Sequence, residues 1–268
     1  VGPITVGRGC ATAPGTRLWV YLYYVDGLLI DTGPRRLARG FRRFWAARPG
    51  VAQVVVTHLH EDHFGMASHA AEAGAPVYIH PDSVEAAGRP VSLPLYRRFF
   101  WRTPRPFAAR PLGGKVETER YAFDVIATPG HADDHVVLHE PAQGWLFSGD
   151  LYLGTRVVTI MRQESLPALM ASIRRVLKRD FDTLFCAHAG PVPGGKARLQ
   201  AKLDYLEELQ GRVRALAEQG WSVREAAKRL FPKVHSLTLV SAGEYSPLHV
   251  VRSLWPHDAP AAGARAQA

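Results

Sequence analysis

Four potential metal ligands fall within six residues in Thr57-His58-Leu59-His60-Glu61-Asp62-His63, directly behind the apolar, β-prone run 53–57. A strand that ends in such a cluster restricts the chain to folds in which strand ends open onto one polar site. In extended backbone, residues two apart point the same way, so His58 and His60 can reach one ion together. Asp62 and His63 follow where the chain turns into a helix, and can face a neighbouring ion. Imidazole nitrogen and carboxylate oxygen are donors that catalytic zinc accepts. The bland alternative is a chance cluster of surface histidines. Three His beside an Asp at a strand end weigh against it.

Three more candidates stand in similar contexts. His131 follows Pro129-Gly130 after a strand predicted over 121–128, Asp150 follows Ser148-Gly149 after one over 145–148, and His188 follows one over 183–187. Each alone is weak, because a single His behind a strand is more often structural. Around them lie strands at 18–25, 28–31 and 77–80, with an Asp26-Gly27 hairpin signal between the first two. Residues 135–140 and 145–148 read as a second hairpin. Apolar spacing predicts helices over 35–47, 64–73, 166–179, 196–218 and 223–230. The expectation is an α/β (α+β) fold with strand ends converging on one edge.

The pattern His-x-His-x-Asp-His, followed by distant His, Asp and His, resembles the metallo-β-lactamase superfamily over about residues 15–195. The resemblance implies an αββα sandwich over 1–195, followed here by a C-terminal helical extension at 196–256 and a disordered tail at 257–268. It implies two metal ions, zinc in the first instance, with iron or manganese as other occupants. His58, His60 and His131 would hold the first ion, Asp62, His63 and His188 the second, and Asp150 would bridge them. Thr128-Pro129-Gly130-His131-Ala132-Asp133-Asp134-His135 and Ser148-Gly149-Asp150-Leu151-Tyr152-Leu153-Gly154 also resemble the branch containing β-lactamase-like protein 2.

The activity so implied is hydrolysis by a metal-bridging hydroxide, acting on an ester, lactone, thioester or amide of small size. Asp62 would bind metal and orient the nucleophile. Asp31, Asp133 and His135 are candidates to position ligating histidines, against the alternative of turn and loop contacts. Tyr152 could bring a phenol near Asp150, against the alternative of simple packing. Two other activities share the fold: a single-strand nuclease and an iron-dependent persulfide dioxygenase. The flavodiiron pattern, with glutamate for one early histidine, is disfavoured by His60.

Residues 82–118 read as an insertion of poor periodicity. Between 89 and 110 it carries Arg89, Arg97, Arg98, Arg102, Arg105 and Arg110 among Phe99, Phe100, Trp101 and Phe107, without one acid. A packed excursion, a homodimer contact, a lid over an anionic substrate and a nucleic-acid contact all fit that composition. The formal net charge of +9 favours anionic partners, small molecules or nucleic acid, although Ala/Arg-rich composition explains it as well. Two cysteines, Cys10 and Cys186, are too few for a disulfide framework, and Cys186 reads as a small buried hydrophobe. With no signal-peptide pattern at the start and no membrane-spanning run, the expected location is cytoplasmic.

Overall fold

The computed structural model describes residues 2–13, 16–48, 50–233 and 235–256; the tail expected to be disordered lies outside them. Strands β1 (Thr5–Ala13), β2 (Thr16–Val25), β3 (Leu28–Ile30), β4 (Gln53–Val55), β5 (Val77–Ile79) and β6 (Ala109–Pro111) form one sheet in that order. β7 (Lys115–Glu117), β8 (Ala122–Ala127), β9 (Val136–Glu140), β10 (Trp145–Gly149), β12 (Thr183–Cys186) and β13 (Gly190–Val192) form the second, in the order β13-β12-β10-β9-β8-β7. β11 (Ile160–Met161) pairs separately with β14 (Tyr245–Ser246). The helices are α1 (Ala38–Ala46), α2 (Glu61–Phe64), α3 (Ala67–Glu72), α4 (Val84–Ala87), α5 (Leu95–Trp101), α6 (Leu166–Leu177), α7 (Gly195–Glu218), α8 (Val223–Leu230), α9 (Ser236–Val240) and α10 (Pro247–Ser253).

The layers follow from side-chain alternation along the strands. Leu28 and Ile30 point into the cluster between the sheets, with Phe123, Leu138, Phe147 and Phe185. Leu29, between them, points outward to Phe41 of α1 and Phe64 of α2. On the other outer face, Val137, Leu146 and Leu184 meet Leu169 and Ile173 of α6 and Leu199, Leu203 and Leu206 of α7. The result is the expected αββα sandwich. The α7 stripe joins the same apolar cluster as α6 and β12, as do Val250 and Val251 of α10.

Contacts between the sheets fix the edge where the site lies. The Tyr23 hydroxyl donates to the Cys186 carbonyl at 2.6 Å, and the Tyr21 N–H to the Ala187 carbonyl at 2.7 Å. Val136 N–H donates to the Thr57 carbonyl at 2.9 Å, joining the other side. Asp26 and Gly27 adopt φ of 47° and 82°, the left-handed pair that a tight hairpin needs.

Two expectations are corrected and one strand is added. The helix expected over 64–73 is two short ones, α2 and α3: Met66 leaves helical geometry at φ −108° and ψ 11°, next to a closely packed Gly65. A Cβ there would lie 2.7 Å from both Arg35 N and the Gly33 carbonyl. Regular structure runs through 82–118: β6 pairs with β5 and β7 with β8, so the stretch closes both sheets. The β5–β6 pairing joins residues far apart in the chain, and β6 and β7 are three residues each, too short to leave a mark on local periodicity. β1, unmarked in the sequence, pairs along its whole length with β2; its Gly7 and Gly9 accept the side chains of Leu22 and Leu37 against their bare backbone. Cys186 is fully buried, as expected.

Candidate metal centre

All seven side chains singled out in the sequence converge at one edge of the sandwich. Three sets have donor atoms within 4.8 Å of one another: His58, His60 and His131; His58, His63 and Asp150; and Asp62, His63 and His188. Each arrives by a distinct route. His58 follows β4, whose end is tied down by Thr57 N–H donating to Asp31 Oδ1 at 2.8 Å. Asp62 and His63 are carried by α2. Asp150 leaves β10 through Gly149 at φ +46°, where a Cβ would lie 2.7 Å from His135 Nε2. His131 sits behind Gly130 at φ +139°, where a Cβ would lie 2.4 Å from Leu169 N. That turn therefore packs directly on the start of α6.

The hydrogen bonds fix which nitrogen of each ring faces inward. His63 Nδ1–H donates to Asp31 Oδ2 at 2.9 Å, His131 Nδ1–H to Glu164 Oε2 at 2.8 Å and His188 Nδ1–H to the Trp19 carbonyl at 2.6 Å. The Thr57 hydroxyl donates to Asp31, so its oxygen is left to accept His58 Nδ1–H at 3.2 Å. Each of these four rings thus turns an Nε2 lone pair into the site. His60 differs by presenting Nδ1, which lies 2.9 Å from His58 Nε2 and 3.0 Å from His131 Nε2. Asp150 lies between the groups: Oδ1 is 3.4 Å from both His63 Nε2 and His188 Nε2, and Oδ2 is 3.3 Å from His131 Nε2. His63 Nε2 and Asp150 Oδ1 are buried without a hydrogen-bond partner. Ring nitrogens and carboxylate oxygens crowded together in this way need protons or metal ions among them, so the residues fit metal ions.

Electrostatics agree with that fit. Burial, then the neighbouring histidines, hold His58 and His60 well below the usual imidazole range, leaving them neutral. Burial would also lower His63 and His188, but Asp150 and the other carboxylates beside them win and raise both well above it. His131 is likewise raised against its burial, chiefly by Glu164. Protons on these rings are what a cation would displace. Burial would raise Asp62, yet His63 and His188 hold it below the usual carboxylate range. Four carboxylates, Asp31, Asp62, Asp150 and Glu164, face the histidines.

Of the expected positioning residues, Asp31 holds both His63 and Thr57. His135, pushed down to about 3 by burial and then His131, accepts the Asp150 backbone N–H at 3.0 Å through Nε2. It therefore orients a backbone and no ligating ring. Asp133 is exposed, and its neighbour Asp134 takes the structural role, accepting from Leu59 N and Ser83 Oγ at 2.9 and 2.8 Å. Tyr152 lines the cavity, but its hydroxyl faces Thr155 Oγ1 at 3.4 Å. Sequence reasoning missed Glu164, whose partner lies across a turn 33 residues away. It also missed Lys202, buried on the apolar stripe of α7, whose ammonium donates to the Leu151 and Tyr152 carbonyls at 2.7 and 2.6 Å.

Burial pushes Lys202 down to about 8 from 10.5. Between those values the unfolded chain binds more protons than the folded one, so stability rises with pH across that window. Lys202→Met is expected to flatten the rise by roughly 3 kcal/mol at most. Urea unfolding of both proteins at several pH values reads it, and parallel stability curves would show that Lys202 is not the source.

The centre opens into a cavity of about 450 Å³, with His60, Asp62, His131, Asp150 and His188 among its lining residues. Phe100 and Trp101 of α5 wall it, packed against Ala11 and Val20 of the first sheet. Arg97 Nη2 pairs with Glu61 Oε2 at 2.6 Å and its Nη1 with Glu244 Oε1 at 3.1 Å. Arg97 thereby ties α5 to the ligand-bearing helix and to the C-terminal segment. Among the described residues no helix is long and apolar enough to cross a membrane.

A His/Asp cluster at the open edge of an αββα sandwich defines a metallo-hydrolase class. A family model for the metallo-beta-lactamase superfamily matches residues 20–188, and the chain belongs to that superfamily. It is 25% identical over 272 residues to the probable metallo-hydrolase YqjP of Bacillus subtilis (strain 168), covering 82% of each protein. It is 29% identical over 198 residues to the beta-lactamase-like protein 2 homolog of Drosophila melanogaster, covering 69% of this chain and 63% of that one. A hydroxyacylglutathione hydrolase of Legionella pneumophila (strain Lens) is 22% identical over 172 residues, 64% of this chain and 61% of that one. The narrower resemblance to β-lactamase-like protein 2 thus carries less weight than the superfamily. Two solved structures share the fold: a metallo-beta-lactamase family protein from Thermus thermophilus, and a beta-lactamase domain protein from Burkholderia ambifaria. The first has TM-score 0.68 and 20% identity, covering 95% of this chain and 91% of that one. The second has TM-score 0.71 and 20% identity, covering 95% and 86%.

Proposed function

We propose that this protein is a dinuclear hydrolase, loaded with two zinc ions, that cleaves an ester, lactone, thioester or amide of small-molecule size. The observation that carries the reading is the convergence of inward imidazole lone pairs with Asp62 and Asp150, backed by outward N–H groups already bonded. His58, His60 and His131 would hold one ion, Asp62, His63 and His188 the other, and Asp150 would serve both. Bound there, the ions would supply an activated water at neutral pH and polarise the oxygen of the scissile group. The 450 Å³ cavity suits a small substrate.

The chain's own residues order the reaction. Asp62 faces the cavity beside His188, so its carboxylate would accept a hydrogen bond from the attacking water, orient it and receive its proton. The water oxygen bonds to the acyl carbon, the bond to the leaving group breaks, and the proton on Asp62 passes to that group. Asp31, Thr57, Glu164 and the Trp19 carbonyl keep the histidines from rotating.

Mass spectrometry of protein purified without added metal is expected to find about two zinc ions per chain, with hydrolysis lost on chelation and restored by zinc. About one iron per chain, with oxygen uptake on persulfide and no ester or amide cleavage, would replace this reading with the dioxygenase.

A further inference from the structure

The cavity is lined by exposed charges that no described residue neutralises. Its acids, Asp62, Asp150 and Glu164, are buried and committed to histidines. Among its cations, Arg97 is spent on Glu61 and Glu244, and the Lys202 ammonium on two carbonyls. Arg17, at the start of β2, and Arg156, in the loop after Asp150, also line the cavity and are exposed. Neither makes a salt bridge or a side-chain hydrogen bond among the described residues. The same cavity is also lined by the apolar side chains of Leu18, Trp19, Phe100, Trp101, Val157 and Leu237. Trp19 stays 37% exposed even with the Arg8 guanidinium 3.7 Å from its ring centroid, so apolar indole surface is left for a ligand to cover. Phe100 and Trp101 are packed against the first sheet, so this wall is preformed.

We infer, on the hydrolase reading above, that the substrate is an anionic amphiphile. Its acyl or aryl part lies along the Trp19–Trp101 wall with the scissile group at the metal end, and its carboxylate, phosphate or sulfonate-like head is held by Arg17 and Arg156. Guanidinium groups suit such heads because they present paired donors in a fixed plane and are less strongly hydrated than ammonium. A neutral ligand of the same length would fill the wall and leave both arginines in water. An anionic ligand gains two charge-assisted contacts where, among the described residues, no acid pairs with either arginine.

The test is binding, which does not require turnover. The metal-loaded protein is titrated calorimetrically with 1-octanesulfonate, which is non-hydrolysable and a weak metal ligand, and with 1-octanol as its neutral counterpart. The sulfonate is expected to bind at least about tenfold more tightly. That advantage should vanish in Arg17→Gln/Arg156→Gln, persist in the charge-matched control Arg212→Gln/Arg214→Gln, and shrink between about 50 and about 500 mM salt. Thermal melts check that all variants are folded. Equal binding of the two probes, no binding of either, or a preference that survives the Arg17/Arg156 substitutions would overturn the inference. A preference of the expected kind in a protein that cleaves no ester, lactone, thioester or amide would leave the anion subsite standing and remove the hydrolase reading.

Discussion

Asp150→Ala is expected to remove both metal ions and at least about 10³-fold of kcat/KM, about 4 kcal/mol of transition-state stabilisation, while leaving the fold in place. The magnitude follows from position. Among the described residues Asp150 is the one carboxylate within 3.4 Å of His63, His131 and His188, so its loss reaches donors of both proposed ion sites. His60→Ala is expected to act more narrowly, since His60 contacts only His58 and His131 among the ring donors. It should empty the first ion site and leave the second partly occupied. The Asp150 backbone N–H keeps its bond to His135 in either variant, so the β10 end should hold its shape. Metal content, steady-state kinetics and circular dichroism on the same preparations separate these effects. Wild-type turnover in a folded Asp150→Ala protein would sink the assignment of the centre.

Arg97→Leu should produce the largest loss of stability, about 3–5 kcal/mol, or roughly a 10 °C fall in melting temperature. Glu61 is only 2% exposed, and one of its oxygens, Oε1, already lacks a partner. Burial raises its carboxyl, with Arg97 pulling the other way. Removing Arg97 leaves that charge buried alone and raises the carboxyl further. A carboxyl with a raised folded pKa binds more protons folded than unfolded, so the variant loses stability as pH rises. Its deficit should therefore be smaller at pH 5 than at pH 8. Adding Glu61→Gln should recover much of the loss, because the pair then leaves no unpaired charge. Glu61 stands between His60 and Asp62, so metal affinity should fall with Arg97→Leu as well. A change below about 1 kcal/mol would mean that the pair behaves like an exposed salt bridge.

The centre was legible in the sequence because its chemistry is local. His58, His60, Asp62 and His63 occupy one strand end and one helix start, and His131, Asp150 and His188 each follow a short apolar strand. The stripe of α7 and the Asp26-Gly27 turn were legible for the same reason: backbone periodicity and turn geometry depend on neighbours along the chain. The groups that hold the ligands were less so. Asp31 and His135 sit beside recognisable turns, and the sequence marks them as positioning candidates, but which ring or backbone each would hold depends on contacts across the fold. Glu164, the Trp19 carbonyl and Asp134 carry no signal at all, because each acts over 33 to 169 residues of separation.

The stretch 82–118 makes the same distinction on a larger scale. Between 89 and 110 its composition, arginine among aromatics without acids, leaves packing, homodimer contact, lid and nucleic-acid contact open. Folding resolves it by assigning the individual residues different partners: Phe100 and Trp101 to the first sheet, Arg97 to Glu61 and Glu244, and the strands beyond them to the edges of both sheets. The sequence by itself determined the candidate ligand residues, which rest on residue type and short-range spacing, and through the family resemblance they carry it implied the layer architecture and the class of chemistry. Only the tertiary structure decided which nitrogen each histidine turns inward, which carboxylates balance the charge and which arginines stay free. Those outcomes depend on burial and on contacts between segments far apart in the chain, and no local pattern encodes them.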